Sequence, residues 1–103
     1  MEEKKFGLST STIEKITSVI YSFFGVEKII LYGSRAKGNF KSGSDIDLVL
    51  VAPEMTTSDL LKIESQIDEL SLPYKVDLSI LHQIDNSELI EHIKRVGVNF
   101  DSD

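Results

Sequence analysis

The stretch Asp45–Val51, Asp-Ile-Asp-Leu-Val-Leu-Val, limits the possible folds more than any other part of the chain. It is continuous in apolar character after Asp47, rich in β-branched residues, and stopped by Pro53. It reads as a buried strand whose first turn of sequence carries two acids. Two more short apolar runs accompany it. Lys28–Tyr32 ends in a Gly-Ser turn, and Lys75–Leu81 is interrupted by a single charge at Asp77. Strands that are apolar on both faces must be covered on both faces, so this chain needs helices around a small sheet.

Helical periodicity supplies them. Ile13, Ile16, Ile20, Phe23 and Phe24 recur at helical spacing behind the cap candidates Ser9, Thr10 and Ser11, and Gly25 is the expected stop. Leu60, Ile63, Ile67 and Leu70 form a second stripe behind Thr56, Thr57 and Ser58. A last helix is expected from near Asp85 or Asn86, with Leu89, Ile93 and Val96 on one face and Gly97 at its end. The tail Asn99–Asp103 is expected to fray. The order α-β-β-α-β-α predicts an α/β (α+β) domain, and 103 residues allow one domain, 1–103, with one modest core.

Composition removes several functions. With no cysteine there is no disulfide, thiolate metal site or Cys nucleophile, so chemistry must use carboxylates, hydroxyls, histidine or a bound metal. A formal charge of −6 disfavours wrapping nucleic acid, whose affinity comes mainly from Lys and Arg. Met1–Lys5 lacks the apolar core of a secretory signal, and the longest apolar run, Leu48–Ala52, falls far short of the ~20 residues of a membrane span. A soluble cytoplasmic protein is expected.

The chemistry concentrates at the acids and the loop before them. A strand period of two puts Asp45 and Asp47 on one face, with Ile46 and Leu48 on the other. At an effective dielectric of ~20, two charges about 4 Å apart repel by roughly 4 kcal/mol, so such a pair needs a cation, a shared proton or solvation. Asp77, inside Val76-Asp77-Leu78, joins the same cluster if its strand lies beside Asp45–Val51. Three oxygen-donor acids suit Mg²⁺ or Mn²⁺. The alternatives are a solvated strand end for Asp45 and Asp47, and a structural ion pair with Arg35 or Lys75 for Asp77.

Gly33-Ser34 follows a buried strand, and Arg35-Ala36-Lys37 favours a short helix whose first N–H groups could face a phosphate. Arg35, Lys37 and Lys41 add positive field, with no acid before Asp45. Phosphate-binding groups upstream of a carboxylate cluster point to a metal–nucleoside triphosphate. Two rival patterns fail on the letters. A P-loop starting at Gly33 would need Lys and Ser/Thr where Asn39 and Phe40 stand, and an EF-hand loop from Asp45 would need an oxygen donor and glycine where Val49 and Leu50 stand. His82 and His92 lack partner acids at ligand spacing and read as surface or helix-end residues.

These residues together resemble the nucleotidyltransferase superfamily that includes DNA polymerase beta. The matching pattern is Tyr32-Gly33-Ser34, ten intervening residues, Asp45-Ile46-Asp47-Leu48, and later Val76-Asp77-Leu78. The extended form, Gly-Ser-Arg-Ala-Lys-Gly followed by Ser44-Asp45-Ile46-Asp47-Leu48, is similar to the minimal nucleotidyltransferases encoded beside HEPN-domain partners, including the MntA-type antitoxins.

The resemblance implies a small mixed β-sheet flanked by helices. It implies that Gly33 and Ser34 hold the triphosphate, with Arg35, Lys37 and Ser44 completing the nucleotide-binding set. Asp45 and Asp47 would bind two Mg²⁺ ions, with Mn²⁺ as a substitute, and Asp77 would bind one of them and help deprotonate the attacking hydroxyl. The implied reaction transfers AMP from ATP to a tyrosine hydroxyl of a HEPN ribonuclease toxin and releases diphosphate. Larger relatives carry an additional helical domain, so this chain is expected to form a heteromeric complex in which the toxin supplies that wall. Phe23, Phe24 and Phe100 are the expected apolar contacts. Two other readings stand beside this one: a nucleotidyltransferase for a small-molecule acceptor, and a non-catalytic antitoxin that neutralises its partner by binding.

Overall fold

The computed structural model describes residues 4–101. The three expected strands form the body of a four-stranded sheet: β3 (Lys28–Tyr32), β4 (Ile46–Val51) and β5 (Val76–Ile80). Its order is β5-β4-β3-β6, where β6 is Val98–Asn99. Strands β3 and β4 are antiparallel, so the long connection between them returns the chain beside itself. Strands β4 and β5 are parallel, which requires a crossover, and α3 (Thr57–Asp68) provides it. The sheet is therefore mixed.

The even positions of β4 explain where the core sits. Ile46, Leu48 and Leu50 point to one face with Ile29, Leu31, Leu78 and Ile80, and there meet α3 and α1 (Thr10–Tyr21). Ile16, Ile20 and Ile63 are fully buried in this layer, each worth about 1.5–3 kcal/mol relative to exposure. On the opposite face Tyr32 and Val49 meet Ile93 of α4 (Ser87–Val96), with Leu89 and Val96 packed alongside. Caps fix the helix starts. The Ser9 hydroxyl accepts from Thr12 N, Thr56 and Asp59 form a reciprocal capping box, and Asn86 Oδ1 accepts from Glu88 N and Leu89 N.

Several details differ from the sequence expectation. Helix α1 stops at Tyr21, before Gly25, because the Ser22 hydroxyl and N–H both turn back onto the Val19 carbonyl. Phe24 lies beyond it, 96% exposed, and Phe23 is half-buried. The expected fraying of the tail is corrected for Asn99 and Phe100. Val98–Asn99 pairs with Leu31 and Ile30, the Phe100 N–H donates to the Ile29 carbonyl, and the Phe100 ring is fully buried and stacked on Phe6. Phe100 is thus a core residue and unavailable to a partner. Ser102 and Asp103 lie outside the described residues. A small hairpin precedes α1, with β1 (Lys4–Lys5) pairing β2 (Leu8–Ser9) around Phe6 and Gly7. Among the described residues no helix is long and apolar enough to cross a membrane.

Candidate active site

Sheet register builds the centre of the site. Tyr32 of β3 pairs with Asp47 of β4, and Asp47 pairs with Asp77 of β5. Residues directly opposite on adjacent strands share a face with Cβ atoms about 4.5–5.5 Å apart, so Tyr32, Asp47 and Asp77 form one row across three strands. Asp45 stands just outside the ladder, because β4 starts at Ile46, whose N–H is held by the Lys75 carbonyl. Burial, then the charges of Asp77 and Asp45, push the Asp47 carboxyl above its ordinary value of 3.8, against an opposing pull from His92 and Lys75. The three acids expected to converge therefore share one electrostatic field. Asp77 is exposed, not buried as its apolar flanks implied, so no desolvation penalty forces it into an ion pair.

The Tyr32 phenol is also pushed up, by burial first and then by Asp47 and Asp77, while its hydrogen bond with Ser79 opposes the shift. Its side chain thus reaches from β3 to Ser79 of β5.

The turn after β3 becomes the expected short helix, α2 (Gly33–Lys37). Gly33 takes φ +75°, and a Cβ there would run into Asp47 Oδ2 and lie 3.3 Å from Asp47 Cγ. Only glycine lets the backbone come this close to the carboxylate. The Gly33 N–H donates to His92 Nε2 over 3.3 Å, and the imidazole meets the Tyr32 ring edge-on, centroids 6.0 Å apart. Ser34 is half-buried and Lys37 is exposed, both beside Gly33 on the same short element. Lys41 is exposed in the following loop.

Arg35 has a different place from the one expected. Its side chain is 2% exposed and turned into the protein. Nη1 donates to the Phe6 carbonyl at 2.8 Å, Nε and Nη2 to the Ser44 carbonyl at 3.1 and 2.9 Å, and Nη2 also to the Ser42 carbonyl at 3.2 Å. The rings of Phe40 and Tyr74 lie 5.1 and 5.0 Å from the guanidinium carbon. These partners use the planar fork to join the hairpin turn, the loop before β4 and the lead-in to β5. Arg35 therefore sets the position of Asp45 through Ser44, and its guanidinium does not face the Gly33 turn as a phosphate contact would. Ser44 belongs to the same brace, since its Oγ accepts from the Lys41 N–H at 2.8 Å.

Among the described residues no three His, Cys, Asp or Glu side chains already stand as a closed metal-binding group. Asp47 and Asp77 are the paired acids, with Asp45 exposed in the loop just before β4, and an all-oxygen set of this charge suits a hard divalent cation. His92 and Tyr32 are the site residues that sequence patterning missed. His92 reads as a surface or helix-end residue from its neighbours, yet it is half-buried against Gly33. Its contacts join α4 to Gly33 of α2 and Tyr32 of β3, so no local spacing could reveal them.

Residues 14–101 match the family model described as polymerase beta, nucleotidyltransferase. A Methanocaldococcus jannaschii protein provisionally named protein adenylyltransferase MJ0141 is 29% identical over 76 residues, covering 71% of this chain and 77% of that protein. Among solved structures, a toxin–antitoxin complex with AMP-PNP superposes with TM-score 0.72 at 20% identity, covering 88% of this chain and 73% of that one. A tri-AMPylated Shewanella oneidensis HEPN toxin in complex with its MNT antitoxin gives TM-score 0.67 at 18% identity, covering 90% of this chain and 71% of that one. These structural likenesses concern the fold.

Proposed function

Because the chain belongs to the polymerase beta nucleotidyltransferase family, we propose that it is a Mg²⁺-dependent protein adenylyltransferase. It acts as an antitoxin, moving AMP from ATP to a tyrosine hydroxyl of a HEPN-domain toxin. One observation carries the reading: Asp47, paired across the strands with Asp77, lies directly against the Gly33 turn, so a nucleotide phosphate at Gly33 and Ser34 would sit beside this carboxylate. The name of the Methanocaldococcus relative and the AMPylated toxin of the Shewanella complex support this choice of donor and acceptor.

Mg²⁺ fits the donor chemistry, since three acids share one field and the charge on Asp47 is disfavoured without a cation. Asp45, Asp47 and Asp77 would hold it. When bound, Mg²⁺ supplies neutralisation of phosphoryl charge and alignment of the triphosphate, and two ions are the usual number in such sites. The residues of the chain do the rest. Gly33 admits the phosphates close to the backbone, the Ser34 hydroxyl donates to a phosphate oxygen, and Lys37 and Lys41 add positive field. Arg35 and Ser44 hold the loop that carries Asp45. The Asp77 carboxylate takes the proton of the acceptor hydroxyl as its oxygen bonds to the α-phosphorus. The bond from that phosphorus to the bridging oxygen breaks, and diphosphate leaves.

The chain works as a single minimal domain, 1–103, in the cytoplasm, where it meets ATP and forms a heteromeric complex with the toxin. Tyr21, 42% exposed at the end of α1, and Phe24, 96% exposed in the turn that follows, are the apolar surface offered to that partner. Incubation with α-labelled ATP, Mg²⁺ and the HEPN protein tests the reading. Label is expected on the toxin with the wild type and absent with Asp47→Asn. Label on a diffusible acceptor alone would instead select a small-molecule nucleotidyltransferase, and full neutralisation by the unlabelled mutant complex would select a binding antitoxin.

A further inference from the structure

We propose that His92 is a positioning residue for the nucleotide site, holding the Gly33–Ser34 turn against Asp47 through the Gly33 N–H. The inference rests on the proposed transferase reading for its kinetic arm only. Three observations carry it. The Gly33 N–H begins α2 and has no acceptor within that helix, and it donates to His92 Nε2 at 3.3 Å. On its other side the Gly33 α-carbon is pressed against Asp47, where even a methyl group would collide with Oδ2. Gly33 is thus held between a carboxylate of the sheet and an imidazole of α4.

The imidazole is itself held. It stands edge-on to Tyr32 at an interplanar angle of 82°, on a ring whose phenol hydrogen-bonds to Ser79. Its neighbour Ile93 is buried against Tyr32 and Val49, which fixes the helix turn from which His92 projects. The bond requires a lone pair on Nε2 and so belongs to the neutral imidazole, whereas the pull on Asp47 belongs to the charged ring. A turn this close to a carboxylate gains little from flexibility, since a displacement of about 1 Å at a reacting site can cost on the order of a hundredfold in rate. The role assigned to His92 is indirect. It acts through Gly33.

The test compares His92→Leu with His92→Gln in the full chain, because a glutamine amide oxygen can accept the Gly33 N–H and leucine cannot. Amide hydrogen exchange at Gly33, followed by NMR in the absence of nucleotide, is expected to be at least about tenfold faster in the Leu variant and near wild type in the Gln variant. With ATP, Mg²⁺ and the HEPN protein, kcat is expected to fall about tenfold in the Leu variant and to recover in the Gln variant, with melting temperatures of both close to wild type. Unchanged Gly33 exchange in His92→Leu would overturn the inference, as would wild-type kcat in that variant. Equal loss of kcat in the Leu and Gln variants would also overturn it. If the wild type transfers no AMP, the transferase reading fails while the exchange measurement still decides the role of His92.

Discussion

Replacing Gly33 with alanine places a methyl group where the structure has room for none, and the cost can be divided into two parts. The first is conformational: an L-residue at φ +75° pays about 1–2 kcal/mol against glycine. The second is the collision with Asp47 Oδ2. Relieving it requires an off-rotamer Asp47, at about 0.5–1.5 kcal/mol, or a shifted turn that gives up the His92 bond, at about 1 kcal/mol. Together these predict a loss of about 2–3 kcal/mol. For a chain of this size that is a fall in melting temperature of at least about 8 °C. A double-mutant cycle separates the two parts. In Asp47→Ala the Oδ2 is gone, and the Cβ of residue 47 lies 3.6 Å from the added methyl, an ordinary contact. There Gly33→Ala should cost only the conformational 1–2 kcal/mol, roughly. Urea denaturation of the four proteins in EDTA gives the coupling, expected at about 1 kcal/mol, against the ~0.3–0.5 kcal/mol scatter of additive sites. A coupling within that scatter would refute the close approach of Gly33 to Asp47. An unchanged stability of Gly33→Ala alone would refute the left-handed turn.

The Asp47 carboxyl is raised by burial and by Asp77 and Asp45, so the folded state disfavours its charge. The penalty is absent below the ordinary value of 3.8 and appears as pH rises through the raised folded value. Asp47→Asn should therefore melt above wild type at pH 7 in EDTA while losing transfer activity, and the gap should close on acidification; a constant gap down to pH 3 would count against this account. Arg35→Lys should destabilise by about 2–3 kcal/mol, because a single ammonium cannot serve the carbonyls of Phe6, Ser42 and Ser44 together. An unaltered urea midpoint with a raised KM for ATP would instead put the guanidinium on phosphate. Phe100→Ala should cost about 3–5 kcal/mol as measured by urea denaturation, and a change under about 1 kcal/mol would mean that the chain end is not part of the core.

The sequence made the main elements legible wherever period and punctuation agreed. Strand β3 falls at Lys28–Tyr32 as expected, and α4 starts behind the Asn86 cap and stops before Gly97. The paired acids were legible because a strand keeps alternate residues on one face, and a parallel neighbour puts Asp77 beside Asp47. Three features escaped for one shared reason: their partners belong to other elements and loops, which helix or strand periodicity does not register. Arg35 sits among lysines in a glycine-rich loop and looks solvated, but the carbonyls and rings that bury it come from residues 6, 40, 42, 44 and 74. Phe100 lies in an acidic tail with no periodicity, and its pocket is made by β3 and Phe6. His92 was hidden on a helix whose local pattern showed only its apolar stripe. Asp77 erred in the opposite direction. Apolar neighbours suggested burial, whereas it occupies an edge strand where its own end of the sheet is open.

The parallel pairing of β4 with β5 also has a bearing on when the protein becomes competent during folding. Asp47 and Asp77 belong to strands joined by the whole α3 crossover, a non-local contact that forms more slowly than the turn joining neighbouring strands. Before that crossover closes, the two acids are separately hydrated and do not oppose one another. Their mutual repulsion therefore arises late, in the same step that assembles the proposed cation site. Divalent ions in the folding buffer should act mainly after the rate-limiting step, slowing unfolding while leaving the refolding rate nearly unchanged. Competence for chemistry in this small chain is in that sense a report that β5 has docked on β4.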